Sequence, residues 1–254
     1  MPKMRLDKFI SSTGLLSRSE CAKAAKLGRI AVNGAAVKNS SVQVDPAIDR
    51  ITLDGVPLRY EEFVYVMLHK PDGYVSATED GRDPTVLELL TRELQKRDLF
   101  PCGRLDKHTT GLMLITDNGP LGHRLLSPKH HVAKTYAFTA KFPISDNDVK
   151  VLETGVPIET KDGGSYLTKP ARVTLTNEAR TEGRITLVEG KYHQIKLMLV
   201  AVHNQITSLQ RITFGPLTLD PSLSAGEWRY LTEEEIAALT TMTLGCEVGR
   251  ELGI

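Results

Sequence analysis

The 254-residue chain has little of what marks several protein classes. Its three cysteines, Cys21, Cys102 and Cys246, are far apart and odd in number, which excludes a disulfide framework and any Cys-X-X-Cys metal or redox site. Its longest apolar runs, such as Leu197 to Val202, are too short to cross a bilayer, and no apolar signal core follows Met1-Pro2-Lys3-Met4. A soluble protein of a reducing cytoplasm, with no membrane partner, is therefore expected. Neither a Gly-X-Gly-X-X-Gly nor a Walker-type loop is present, so no nucleotide cofactor is indicated. His123, His130 and His131 lack zinc spacing and cysteine partners; no metal is expected, and they read as basic groups near phosphates. Net charge is also nearly absent, since 32 Lys plus Arg face 31 Asp plus Glu. Taken whole, that balance argues against a polyanionic partner.

The total conceals where the charge sits. Residues 1–30 hold Lys3, Arg5, Lys8, Arg18, Lys23, Lys26 and Arg29 against only Asp7 and Glu20, so this segment is strongly basic and the remainder slightly acidic. The pattern describes an electrostatic arm joined to a body with another task. Leu6, Phe9 and Ile10 at helical spacing predict a helix over Arg5–Ser12. Ser17 with Glu20 forms a capping-box pattern ahead of a second helix that Gly28 ends. Asn33-Gly34 and Asp54-Gly55 are two-residue hairpin signals. The polar side of the second helix is nearly all basic. That is commonly a plain solvated face, but with Arg5, Lys8 and Arg29 alongside, a phosphate-binding surface gains weight.

A boundary near Arg59 divides the chain into residues 1–59, a larger domain over 60–240 and a peripheral tail over 241–254. Buried strands are expected over Phe63–Leu68, Leu112–Thr116, Thr135–Phe142, Arg184–Val188 and within Ile206–Leu219. Helices are expected over Thr85–Gln95, led by Asp83-Pro84, over Tyr192–His203 and over Glu233–Leu239. Many strands, few helices and no regular βαβ repetition indicate an α+β fold with a large mixed or antiparallel sheet.

Three stretches of the larger domain carry candidate chemistry. Asp106, flanked by Gly103 and Gly111, is either a nucleophile or base at a sheet rim or an aspartate organising its own turn. Lys196 is the one charge in an otherwise apolar segment, Ile195–Val202; its ammonium either snorkels to water or meets a carboxylate such as Asp106 and holds it as a fixed negative charge. Tyr136, opening a strand, is either core packing or a flat ring set against a nucleobase.

The stretches GRLDKHTTGLMLITDNG (103–119), SPKHHVAKTY (127–136), LTKPA (167–171), EGKYHQIKLM (189–198), RITFGPLTL (211–219) and GEWRYLTEEEI (226–236) closely resemble the RsuA/RluB/RluE/RluF group of bacterial rRNA pseudouridine synthases. RLDKFISSTGLLSRSECAKAAKLGRIAVNG (5–34) resembles the S-four type RNA-binding module of that group. The resemblance implies a small RNA-binding domain followed by a catalytic domain, isomerisation of uridine in ribosomal RNA without a cofactor, and a monomer whose partner is rRNA or a ribosomal assembly particle. It makes Asp106 the catalytic aspartate, Tyr136 the tyrosine that stacks on the target uracil, and Lys196 the basic partner of the aspartate. Arg104 becomes the arginine that holds the vacated place in the RNA, while Arg5, Lys8, Arg18, Lys23, Lys26, Arg29, His130 and Arg211 become further RNA contacts. The SPKHHVAKTY and Tyr-His-Gln-Ile-Lys forms look most like members acting at uridine 516 of 16S rRNA; a 23S rRNA site and a non-catalytic assembly factor are the alternatives. The chain departs from the group at Leu197, where a second basic residue is usual, and at Gln210 and Thr213. On this reading the RNA affinity of residues 1–59 falls steeply as salt rises. Filter binding across a salt series checks it, and a flat response would refute the reading of the basic arm.

Overall fold

The computed structural model describes residues 3–58, 60, 62–127, 129–159 and 163–251, with side chains as far as Thr243. The boundary expected at Arg59 lies outside the described residues. The chain forms two compact units, Met1–Val64 with Leu90–Leu99, and Tyr65–Leu89 with Phe100–Ile254.

In the first unit, β1 (Met4–Arg5), α1 (Leu6–Ser12) and α2 (Arg18–Lys26) precede β2 (Ile30–Val32), β3 (Ala35–Ala36), β4 (Gln43–Val44), β5 (Ile51–Leu53) and β6 (Val56–Leu58). Helix α2 starts where its capping box places it: the Glu20 N–H donates to Ser17 Oγ and the Ser17 N–H donates to Glu20 Oε2 at 2.7 Å. Asn33 and Gly34, and Asp54 and Gly55, all take positive φ, the left-handed pairs that tight hairpins require, and the strands order as β3-β2-β5-β6. Leu6, Phe9, Ile10, Cys21, Ala24 and Ala25 bury the apolar helix faces against Ile30, Val44 and Ile51. Burial pushes the Cys21 thiol up to about 11, which makes it an inert packing group.

The second unit opens with β7 (Tyr65–Lys70). The single helix expected over Thr85–Gln95 is two elements. A 3-10 turn, Val86–Leu89, is closed by the Glu88 carboxylate accepting the Thr85 N–H, and α3 (Arg92–Gln95) follows an extended Thr91. The chain passes from one unit to the other at Leu89–Leu90, between these two elements. Then come β8 (Phe100–Pro101), β9 (Thr110–Thr116), α4 (Gly119–Leu126), β10 (Lys134–Ala140), α5 (Asp146–Thr154), β11 (Pro157–Glu159), β12 (Ser165–Leu167), β13 (Arg172–Leu175) and β14 (Glu182–Leu187). After these follow α6 (Gln194–Ala201), β15 (Ile206–Phe214), β16 (Leu217–Thr218), β17 (Trp228–Tyr230) and α7 (Glu233–Glu251). Helix α7 continues well beyond Leu239, and Leu239 and Met242 pack into the core with Phe214 and Leu217. Of the tail expected to be peripheral, Met242 packs against the core and Thr243 is buried, and the side chains after Thr243 lie outside the described residues.

The expected mixed sheet is present. Among the described residues it has nine strands, ordered β13-β14-β10-β15-β9-β7-β17, with β16 on β15 and β8 on β9. Its pairings are antiparallel except for β9 with β15, which run parallel over Thr110↔Gln210 and Gly111↔Arg211. Gly111 sits at φ 101°, and a Cβ there would run into the Arg211 carbonyl oxygen and stand 2.7 Å from the Arg211 nitrogen. Among the described residues no helix is long and apolar enough to cross a membrane. Replacing Gly111 by Ala is expected to destabilise the chain by at least about 2 kcal/mol, from backbone strain and forced separation of the two strands. Urea unfolding measures it, and an unchanged midpoint would contradict the role given to this pairing.

Candidate active site

Between β8 and β9 the chain forms a loop carrying Asp106, and neighbouring main chain ties that loop down on both sides. Ser76 Oγ accepts the Leu105 N–H at 3.0 Å and donates to the Leu105 carbonyl at 2.9 Å. The Thr109 N–H donates to the Asp106 carbonyl, and the Gly73 N–H to the Lys107 carbonyl, both at 3.0 Å. Lys107 pairs with Asp83 at 2.6 Å, and His108 Nδ1 lies 3.0 Å from Asp72. Beneath the loop lies Lys70, 0% exposed, whose Nζ donates to the carbonyls of Pro71, Lys107 and Thr109 at 2.9–3.0 Å. Burial lowers the Lys70 ammonium to about 8, against the pull of Asp72 and Asp106. Three carbonyls converging on one ammonium give the loop a fixed shape.

Asp106 receives two basic groups from the start of α6. Lys196 Nζ lies 2.8 Å from its Oδ2, so of the two outcomes open to that ammonium the structure shows the meeting with the carboxylate. His193 Nε2 lies 3.6 Å from Oδ1. His193 was not among the residues singled out from sequence. The available signal was its spacing of three from Lys196 at a helix start, which sets both on one side. It takes a left-handed conformation (φ 49°) and stacks on Tyr192 at 3.9 Å between ring centres. Glu189 anchors this helix start: it accepts from Gln194 Nε2 at 2.6 Å, the Lys169 N–H at 2.9 Å and Tyr166 Oη at 2.7 Å. The last contact raises the Tyr166 phenol pKa.

Asp106, His193 and Lys196 open into a cavity of about 710 Å³ also lined by Arg104, Tyr136 and Arg211. Tyr136, on β10, is 9% exposed, and Arg104 is exposed at the rim. Two of the expected RNA contacts lie deeper in the fold than the others. Arg211 is 1% exposed, with Nε donating to the Leu112 carbonyl at 2.7 Å; it forms part of the cavity wall and is not a surface cation. His130 is partly buried and does not line the cavity.

The basic arm belongs to the first unit. There Arg5 is bound in a fork by Asp7 at 2.5 and 3.0 Å, and Arg29 by Asp54 at 2.5 and 2.8 Å, which raises both guanidinium pKa values. Their charge is largely compensated within the chain. Lys8, Arg18, Lys23 and Lys26 are exposed, and among the described residues none of them is in an ion pair. Nor, among the described residues, is any group of three His, Cys, Asp or Glu placed to hold a metal.

Residues 64–201 match the RNA pseudouridylate synthase family and residues 4–47 match the S4 domain. The chain is 47% identical over 238 residues to a Bacillus subtilis (strain 168) protein named uncharacterized RNA pseudouridine synthase YtzG, covering 93% of this chain and 98% of that one. It is 41% identical over 237 residues to ribosomal small subunit pseudouridine synthase A of Escherichia coli (strain K12), covering 93% and 100%. A crystal structure of a pseudouridylate synthase superposes with a TM-score of 0.65 at 38% identity, covering 93% of this chain and 99% of that one.

The hydrogen bonds of Lys70 make it the anchor of the loop that carries Asp106. Lys70→Met would remove a donor from three carbonyls, of which that of Lys107 keeps the Gly73 N–H, and a stability loss of about 3 kcal/mol is expected. Chemical denaturation checks it; a loss within about 0.5 kcal/mol, the range of an ordinary surface change, would show that the loop holds without this ammonium.

Proposed function

Because the chain belongs to the RNA pseudouridylate synthase family, we propose that it converts one uridine of small-subunit ribosomal RNA to pseudouridine, with uridine 516 of 16S rRNA as the site. The observation that carries the reading is the Asp106 carboxylate fixed by Lys196 at 2.8 Å inside a cavity walled by Tyr136. The RNA site follows the 41% identity with ribosomal small subunit pseudouridine synthase A. The proposed partner is rRNA or a ribosomal assembly particle, and the chain acts as a monomer in the cytoplasm.

The reaction breaks the bond from ribose C1′ to uracil N1, turns the base and joins C1′ to C5. The target base first leaves its stack, at a cost of a few kcal/mol. Arg104 at the rim and the free cations of the first unit supply the offsetting contacts. Asp106 then acts at the sugar, either by bonding to C1′ or by accepting the C2′ proton. Lys196 contributes a counter-charge that holds the carboxylate in one orientation before the substrate arrives, which is the orientational part of catalysis. Tyr136 offers a flat ring to the base and a phenol within the same cavity.

Asp106→Asn keeps the size of the side chain and removes its charge. Pseudouridine formation is expected to vanish while RNA affinity stays within about two-fold, because the contacts to phosphate lie elsewhere. Carbodiimide labelling with primer extension on rRNA reads both the activity and the position. Turnover by the variant would remove Asp106 from the mechanism, and a product stop on 23S rRNA would reassign the substrate.

A further inference from the structure

The charges around the cavity do not balance. Of the carboxylates that line it, Asp106 is engaged by Lys196 and His193, and Glu189 by Tyr166, Lys169 and Gln194. Lys134 and Arg211 line the same cavity, and among the described residues neither is in an ion pair. Arg211 Cζ lies 5.1 Å from the centre of the Phe214 ring, and Lys134 Nζ lies 5.6 Å from the same centre. Their hydrogen bonds go to neutral groups, Lys134 to the Val132 carbonyl at 2.9 Å and Arg211 to the Leu112 carbonyl and the Met113 sulfur. Burial first, and the neighbouring Arg211 charge second, lowers Lys134 to about 8. Two desolvated cations without an acid are costly to hold together.

Strand register shows which residue stands beside them. Tyr136 pairs directly with Arg211 across β10 and β15, and Lys134 stands two residues from Tyr136 on the same side of its strand. Lys134, Tyr136 and Arg211 thus form one wall, the wall to which the proposed function assigns the flipped uracil. Arg211 is 1% exposed and lines the cavity, so a group seated in the cavity, rather than a phosphate passing over the surface, is what stands next to it. We propose that Lys134 and Arg211 bind the uracil anion released during the reaction, stabilising the charge that develops on the base. This rests on the uridine-isomerising reading above. As the C1′–N1 bond breaks, its electron pair stays with N1 and spreads over O2 and O4, whether Asp106 bonds to C1′ or takes the C2′ proton. Once C5 has bonded to C1′, the C5 proton leaves, N1 gains one, and the base is neutral again. Cations aimed at O2 or O4 therefore favour the cleaved state over the bound nucleotide.

The test titrates the full chain, with no RNA present, with 5-nitrouracil, whose ring is an anion at neutral pH, and with neutral uracil. The anion is expected to bind at least about ten-fold more tightly than uracil, as a mimic of the charged state. That preference should collapse in Lys134→Gln and persist in Lys134→Arg, with RNA affinity unchanged in both. Equal affinity for the two bases, or no binding of the anion, overturns the proposal on the wild-type chain alone, even if the variants fail to fold. A preference that survives Lys134→Gln overturns it as well. So does a Lys134→Gln defect confined to RNA affinity with a shallower salt dependence, since that marks a phosphate contact. Wild-type pseudouridine formation on rRNA is judged separately, so a wrong substrate and a wrong anion site give different results.

Discussion

The parallel pairing of β9 with β15 is the constraint on which the rest depends. It spans only Thr110↔Gln210 and Gly111↔Arg211, yet it joins β13-β14-β10-β15 to β9-β7-β17 as one sheet. Asp106 stands just ahead of the pairing on one side, while Arg211 is in it and Tyr136 is one strand further on. Without it the carboxylate and the tyrosine would belong to separate sheets. The contact is so close that only glycine fits at 111, where φ is 101° and the Arg211 backbone occupies the place of a side chain. A residue with no side chain therefore sets the distances among the residues of the candidate site.

Around this junction, polar groups are used to immobilise rather than to solvate. Lys70 spends its ammonium on three carbonyls, Ser76 clasps Leu105 in both directions, and Glu189 gathers three donors at the start of α6. Loop and helix are thus fixed independently, and Asp106 and Lys196 meet at 2.8 Å as a consequence. On the proposed reading, preorganisation of this kind lets a fixed environment act at the sugar without rearranging at the moment of reaction.

What the sequence disclosed was local or carried by a specific motif. The Ser17–Glu20 capping box and the Asn33-Gly34 and Asp54-Gly55 turns need only a few adjacent residues, and they are present as read. The ambiguity at Lys196 resolved toward Asp106, but no spacing rule could decide it, because the partner is 90 residues away in the chain. Helices α4 and α5 escaped notice since Asn118 reads equally as a strand-ending turn or a cap, and α5 buries little more than Leu152. Lys70 and Arg211 look like surface cations in sequence, being charged residues in or beside strands. Their burial becomes visible only once carbonyls from distant segments converge on them.

That reversal also redraws the charge map from which an RNA partner was first argued. Arg5 and Arg29 are compensated by Asp7 and Asp54, which leaves Lys8, Arg18, Lys23 and Lys26 as the exposed cations of the two N-terminal helices that have no ion pair among the described residues. Four exposed ammonium and guanidinium groups can hold phosphates, but phosphate contacts carry no sequence information. Selection of one uridine must then come from groups that touch the base or its immediate neighbours. Lys134 and Arg211 are candidates for the base itself on the reading above, because their charge is held inside a cavity and cannot be satisfied by an arbitrary stretch of backbone. The near-neutral total thus hides two unlike populations among its cations, exposed ones that can meet any RNA and, on the proposed reading, interior ones held against one base.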